Sequence, residues 1–320
     1  MLKTLYKLIL FFTFFVLIWI SIPYLVESHR DAKKWDYLYN IDIDIDLLIM
    51  GSSHIFTALD PKVLDKELKI NSFNSGSNGQ IINQTYYNLI EILKYRKPKI
   101  IIVDVNCFLR SRTLPNMYGA INHGQLYQNL SGMKFSINKI YSFLNTINKD
   151  EYIDAIPLFI KEKFNWKRFR KPLNTYNSYG YDQMVQTKGF VAKKSNLTIE
   201  EYENFIAQRV LTGIQFNPIP ESLSYLDKIV NLCKINNIEL ILLKTPTLRP
   251  TDINISLNKF LNNYADKNKV NLYNLGKKFD EIELIYTDYH DPSHISELGA
   301  QKISLYLSKV LLKDLDYIIR

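Results

Sequence analysis

Two short apolar runs constrain the fold of this chain more than any other feature. Leu47-Leu-Ile-Met50 and Ile100-Ile-Ile-Val-Asp-Val105 are short and mostly apolar. Such runs suit strands covered on both faces, as in a parallel sheet flanked by helices. The first is led in by Ile41-Asp-Ile-Asp-Ile-Asp46, whose alternation has strand period, and it ends in the turn Gly51-Ser-Ser53. A small polar turn at the end of a buried strand can present a hydroxyl nucleophile, although small polar residues end many strands.

Between these runs the pattern becomes helical. Asp60-Pro61 can start a short helix over Val63 to Leu68, since proline is tolerated in a first helical turn. Ile70 to Phe73 reads as a second strand, running into the loop Asn74-Ser-Gly-Ser-Asn-Gly79. Across Gln80 to Tyr95, the residues Ile82, Tyr86, Leu89 or Ile90, and Leu93 recur at the spacing of one helical face. After Pro220 the rhythm returns: a helix over Ser222 to Lys234, a strand over Ile238 to Leu243, a helix near Leu257 to Ala265, a strand over Val270 to Tyr273, and a last helix over Ser296 to Leu312. The predicted class is α/β.

Ser111 to Pro220 interrupts that order with Asn-, Tyr- and Gly-rich stretches and helices near Phe135 to Leu144 and Ile199 to Gln208. A segment of this length is read as an inserted cap or subdomain over one end of the sheet. Within it, the stretch from Lys161 to Lys171 interleaves bases with Phe164, Trp166 and Phe169. That stretch is either a contact for a membrane or anionic polymer, or an insertion helix with its aromatics packed inward. The expected division is 1–30 as an N-terminal anchor, 31–110 with 221–320 as the main domain, and 111–220 as the insertion.

The N-terminal expectation rests on Leu8 through Val26, an almost continuous apolar run preceded by Lys3 and Lys7. Its length approaches the roughly 20 residues that cross a bilayer, and no small-x-small cleavage site follows it. The reading is a retained signal anchor: one transmembrane helix, single-pass in a bacterial cytoplasmic membrane, with the rest of the chain outside. Asp31 to Asn40 is then a short juxtamembrane connection. A formal charge of +8 is compatible with anionic lipid, an anionic polymer or nucleic acid and does not choose among them. With no zinc finger, helix-turn-helix pattern or regular basic-aromatic surface motif, no nucleic-acid partner is expected. The two cysteines, Cys107 and Cys233, are read as unpaired structural thiols.

Four separated blocks carry the chemistry: Gly51-Ser-Ser-His54, the loop ending at Gly79, Asp104-Val-Asn-Cys107, and Asp291-Pro-Ser-His294. In order and spacing they resemble the SGNH/GDSL hydrolase superfamily, especially membrane-anchored bacterial members associated with cell-envelope acyl transfer. The resemblance covers about Ile41 to Arg110 and Pro220 to Leu312, and not the insertion. It implies a three-layer, flavodoxin-like domain with a mainly parallel sheet. By that resemblance Ser53 is the nucleophile, Gly79 and Asn106 are oxyanion donors together with the Ser53 backbone N–H, and Asp291 and His294 are the orienting acid and the base. The third block departs from the usual Gly-x-Asn-Asp form, so the part played by Asn106 stays open.

In such a constellation His294 removes the Ser53 proton during attack on an ester or thioester carbonyl, and Asp291 orients the imidazole. Water completes hydrolysis of the acyl-serine; a sugar or teichoic-polymer hydroxyl completes transfer. The expected activity is extracytoplasmic O-acyl transfer or O-acyl ester hydrolysis on a cell-envelope glycan, with acetyl as first choice. A polytopic membrane O-acyltransferase is an implied partner. D-alanyl transfer, hydrolysis of lipids or small esters, and a degenerate envelope-binding scaffold are the alternatives. Arg110 is a candidate for binding an anionic acceptor, against a solvated or ion-paired role. His54 and His290 are read as structural, His123 has no ligand pattern, and the sequence calls for no cofactor or metal.

Overall fold

The computed structural model describes residues 2–26, 30–109, 126, 129–130, 132–149, 181–207, 216–248 and 252–319. The chain opens with helices α1 (Leu2–Val26) and α2 (Arg30–Asn40). Five strands follow among the described residues in one sheet: β1 (Leu47–Met50), β2 (Ser72–Asn74), β3 (Ile100–Asp104), β4 (Glu239–Lys244) and β5 (Asn271–Asn274). All four pairings are parallel, and the order is β2-β1-β3-β4-β5. Leu47 lies opposite Ile100, and Ile100 opposite Glu239.

The unbroken apolar character of the strands follows from burial on both faces. Leu48, Met50, Ile101, Val103, Leu240 and Leu242 join one core cluster, while Leu47, Ile49, Ile100, Ile102, Ile241 and Leu243 join the other. The first cluster is completed by α2, by α5 (Ile82–Leu93), and by the helices Pro220–Ile235 and Asp252–Asn268. The second is closed by α3 (Ser53–Ala58), α4 (Pro61–Leu68) and the C-terminal helix Glu297–Ile319. Each buried Ile or Leu contributes about 1.5–3 kcal/mol, so truncating Ile102, which has no exposed surface, costs about 2–5 kcal/mol. In a sheet of this order the chain reverses direction between β1 and β3, and their carboxyl ends border the crevice in which such folds bind ligands.

Several expectations need correction. Among the described residues, no helix is long and apolar enough to cross a membrane. Crossing a hydrocarbon core of roughly 30 Å takes about 20 consecutive apolar helical residues. The transmembrane helix preceding the α/β domain, the signal anchor, the single-pass extracytoplasmic placement, and the membrane and polytopic membrane partners are therefore withdrawn.

Asp31 to Asn40 is no mere connection. It forms α2, with Trp35 and Leu38 in the core, the Trp35 Nε1–H donating to Asn129 O at 3.2 Å, and Tyr37 stacked on Phe73 at 4.6 Å. The alternating Ile41–Asp46 segment lies outside the sheet, and β1 starts at Leu47. Its Ile41 N–H donates to Tyr37 O, closing the end of α2; Ile45 is buried in the core and Ile41 packs against it, while Ile43 is exposed, and among the described residues the segment pairs with no strand.

Between β3 and Pro220, the helices Ile137–Thr146, Tyr181–Thr187 and Ile199–Ala207 are present among the described residues. Residues 188–197 run against the site loops: Asn74 N donates to Lys188 O, Val191 N to Phe56 O, and Leu197 N to Tyr289 O. Gly189 permits the first of these approaches. Its φ is +84°, and a Cβ there would lie 1.9 Å from Asn74 O. Arg110, His123 and the basic-aromatic stretch from Lys161 to Lys171 lie outside the described residues. Both cysteines are buried thiols, outside any disulfide.

Candidate active site

The carboxyl end of β1 leads into a turn that only glycine accommodates. Gly51 has φ +142°, and a Cβ on it would sit 2.4 Å from Asp104 Cβ on the neighbouring strand β3. This close approach sets the next two serines on different partners. Ser52 turns to β3, its Oγ donating to Asp104 Oδ2 at 2.7 Å. Ser53 opens α3, where its backbone N–H has no helical acceptor.

The Ser53 Oγ lies 2.8 Å from His294 Nε2. On the other side of the ring, His294 Nδ1 lies 2.7 Å from Asp291 Oδ2. The two residues come from a tight antiparallel pair, β6 (Tyr289–Asp291) and β7 (His294–Ile295). Asp291 Oδ1 accepts from the N–H groups of Ser293 at 2.8 Å and His294 at 3.0 Å. Burial works against ionisation of Asp291, but the His294 hydrogen bond and charge, with the two N–H donors, outweigh it. The carboxyl is held well below its usual range. An anionic Asp291 requires Nδ1 to carry the ring proton, leaving Nε2 to accept from the Ser53 hydroxyl.

Sequence separations of 241 and 3 residues thus close into one hydrogen-bonded line. His54 lies beside it: its ring stacks on that of His294 at 5.3 Å, and its Nδ1 is 3.1 Å from Ser52 Oγ. His290 points elsewhere, with Nδ1 2.6 Å from Ser195 Oγ.

Asn106 is 8% exposed at the carboxyl end of β3, and its side-chain amide is already committed. Nδ2 donates to Asp104 Oδ1 at 2.8 Å and to Thr245 Oγ1 at 2.9 Å, which occupies both hydrogens. Asp104 has no exposed surface and accepts from Ser52 and Asn106, each through backbone and side chain. Burial raises its pKa, and those donors offset part of the shift.

Gly79 closes the second block at φ +59°. Its loop is stitched to β1 and α3: Ser75 N donates to Ile49 O, Ser77 N to Gly51 O, and Asn74 Nδ2 to Ile55 O and Leu59 O. The same loop is braced from α2. Arg30 Nη1 donates to Gly76 O at 2.8 Å, Lys34 Nζ donates to Ser77 Oγ and Asp31 Oδ1, and Ser77 Oγ donates to Asp31 Oδ1 at 2.6 Å. Burial would raise the Asp31 pKa, but Lys34 and Arg30 outweigh it and hold the carboxyl low.

Sequence reasoning missed Ser52, Thr245 and the Arg30, Asp31 and Lys34 brace. It noted Asp104 only as a departure from glycine, although an acid at the end of an apolar strand is itself a signal of buried partners. Thr245 follows β4 without any pattern to mark it.

No protein-family model and no curated protein sequence matches this chain. Two solved structures are similar to it over most of its length. One is named for the lipolytic G-D-S-L family, from Desulfitobacterium hafniense, with 12% identity and a TM-score of 0.40 over 83% of this chain and 98% of that one. The other is named as an acylhydrolase, from Bacteroides fragilis, with 12% identity and a TM-score of 0.41 over 91% of this chain and 96% of that one.

Proposed function

We propose that this chain is a serine esterase or O-acyltransferase working through an acyl-serine at Ser53. The observation that carries this reading is the line Ser53 Oγ, His294 Nε2, His294 Nδ1 and Asp291 Oδ2, with hydrogen-bond distances of 2.8 and 2.7 Å. As Ser53 Oγ bonds to a carbonyl carbon, its proton passes to His294 Nε2, and the ionised Asp291 stabilises the imidazolium. His294 then returns the proton to the departing alkoxide. Water or an alcohol, deprotonated by His294, attacks the acyl-serine and frees Ser53.

Negative charge on the carbonyl oxygen is met by the N–H groups of Ser53 and Gly79. Asn106 adds a donor only by releasing Thr245 or Asp104, so its side chain chiefly fixes the ends of β3 and β4. With the anchor withdrawn, nothing among the described residues selects a cell-envelope polymer, and the proposed activity is the reaction class: acyl transfer from an ester to water or a hydroxyl.

Hydrolysis of p-nitrophenyl acetate by the purified full chain tests it. Ser53→Ala and His294→Ala should each lower kcat by at least ~10³-fold, as expected when members of a concerted triad are removed. Turnover that survives both substitutions would refute it.

A further inference from the structure

Beside the Asp291–His294 loop lies a cavity of about 560 Å³ whose lining includes Lys244, Tyr289, Tyr202, Tyr286, Leu248 and Asn258. Two links tie it to the catalytic loop: Leu248 N donates to Pro292 O at 3.0 Å, and Tyr289 shares β6 with Asp291. A third runs through Thr245, the residue after Lys244, which accepts from Asn106.

The wall is polar in an unbalanced way. Lys244 ends the apolar strand β4 and is 6% exposed, yet no carboxylate pairs with it among the described residues. Its Nζ donates to Asn258 Oδ1 at 3.2 Å, leaving donor capacity unused. Asn258 Oδ1 also accepts from Asn274 Nδ2 at 2.8 Å. Two further polar atoms there are buried without a partner: the Tyr289 hydroxyl and Asn274 Oδ1. A Cβ on Gly276 would lie 3.3 Å from Asn274 Oδ1 and 3.8 Å from Lys244 Nζ, so the missing side chain keeps this corner open. Burial, and secondarily the Lys277 charge, push the Lys244 ammonium down to about 8. A buried cation and unpaired polar groups are costly unless something supplies partners.

We propose that this cavity binds the anionic oxygen group of the substrate, a carboxylate or phosphate, on Lys244 Nζ and the Tyr289 hydroxyl. The apolar body carrying that group packs on the stacked rings of Tyr202 and Tyr286, 5.7 Å apart, and on Leu248. As a statement about substrate class it rests on the acyl-serine reading, but the site itself can be tested without turnover.

The probes are benzoate, phenyl phosphate and neutral phenol, titrated calorimetrically against full-length Ser53→Ala protein and against Ser53→Ala with Lys244→Met. At least one anion should bind, with affinity falling at least tenfold on Lys244→Met, and phenol should bind at least tenfold more weakly than that anion. The anion that binds identifies the group. If Lys244→Met does not fold, Tyr289→Phe replaces it, with at least threefold weaker binding expected. Binding of neither anion, or equal binding by the substituted proteins, would overturn the proposal. Lys244-dependent binding in a protein whose Ser53 proved inert would leave this site standing and remove the acyl-serine reading. An active Ser53 without such binding would do the reverse.

Discussion

Replacing Gly51 by alanine should destabilise the protein and displace its nucleophile in one step. At φ +142° an L-residue is strained, at a cost of roughly 1–2 kcal/mol. The new methyl group would lie 2.4 Å from Asp104 Cβ, where ordinary contact begins at 3.4 Å. β1 and β3 are hydrogen-bonded neighbours through Met50 and Val103, so about 1 Å of separation must be found inside a packed sheet, an overpacking cost of about 1–3 kcal/mol. A total near 2–5 kcal/mol should appear in urea unfolding as a lower midpoint at unchanged m. Ser53 is two residues on, and a shift of about 1 Å in a reacting atom costs on the order of 10²-fold in rate. Esterase turnover measured well below the unfolding midpoint separates the two effects. Loss of less than 1 kcal/mol with full turnover would show that neither the backbone conformation nor the contact with Asp104 sets the position of Ser53.

The remaining expectations concern the groups around that turn. Lys34→Met leaves the Asp31 carboxylate buried without its closest cation, so stability should fall by about 3–5 kcal/mol in urea unfolding, with kcat falling because Ser77 and Gly79 share the braced loop. Asn106→Ala should lower kcat by no more than ~10-fold per folded molecule, short of the 10²–10³ typical of a dedicated oxyanion donor, because Asp104 and Thr245 hold its amide; steady-state kinetics decides. Asp291 has its carboxyl held below the ordinary aspartate value of 3.8, so the folded chain binds that proton more weakly than the unfolded chain does. Stability from this group is therefore present above that value and lost as pH falls below it. Acid unfolding of Asp291→Asn should show less of this loss than the parent protein.

The parts of the fold that depend on apolar periodicity were readable from sequence. Strands β1, β3 and β4 have no polar face to obscure them, and the helix at Ile82–Leu93 keeps one apolar side. Ser53, Asp291 and His294 were readable as blocks because strand ends present side chains to a common crevice, although only the fold brings Ser53 to His294. Residues whose burial depends on a distant partner were not readable. Asp31 and Lys34 look solvated in a helix of mostly polar composition, yet they neutralise each other beneath Ser77. Thr245 gains its meaning only from Asn106, 139 residues earlier. The alternation in Ile41–Asp46 misled because period 2 marks a strand only where a neighbouring strand is available, and this segment buries Ile45 without one. The anchor reading of Leu8 to Val26 rests on length, hydropathy, the preceding lysines and the lack of a cleavage site, and among the described residues no helix is long and apolar enough to cross a membrane.

Ser53 reactivity tests the account most directly. The full chain is incubated with a fluorophosphonate, whose fluoride is displaced by an activated serine oxygen, and the adduct is located by peptide mass. The account predicts a single adduct at Ser53, absent from Ser53→Ala and formed at least ~10³-fold more slowly in His294→Ala. Labelling at another serine, or labelling of wild type no faster than of His294→Ala, would contradict it.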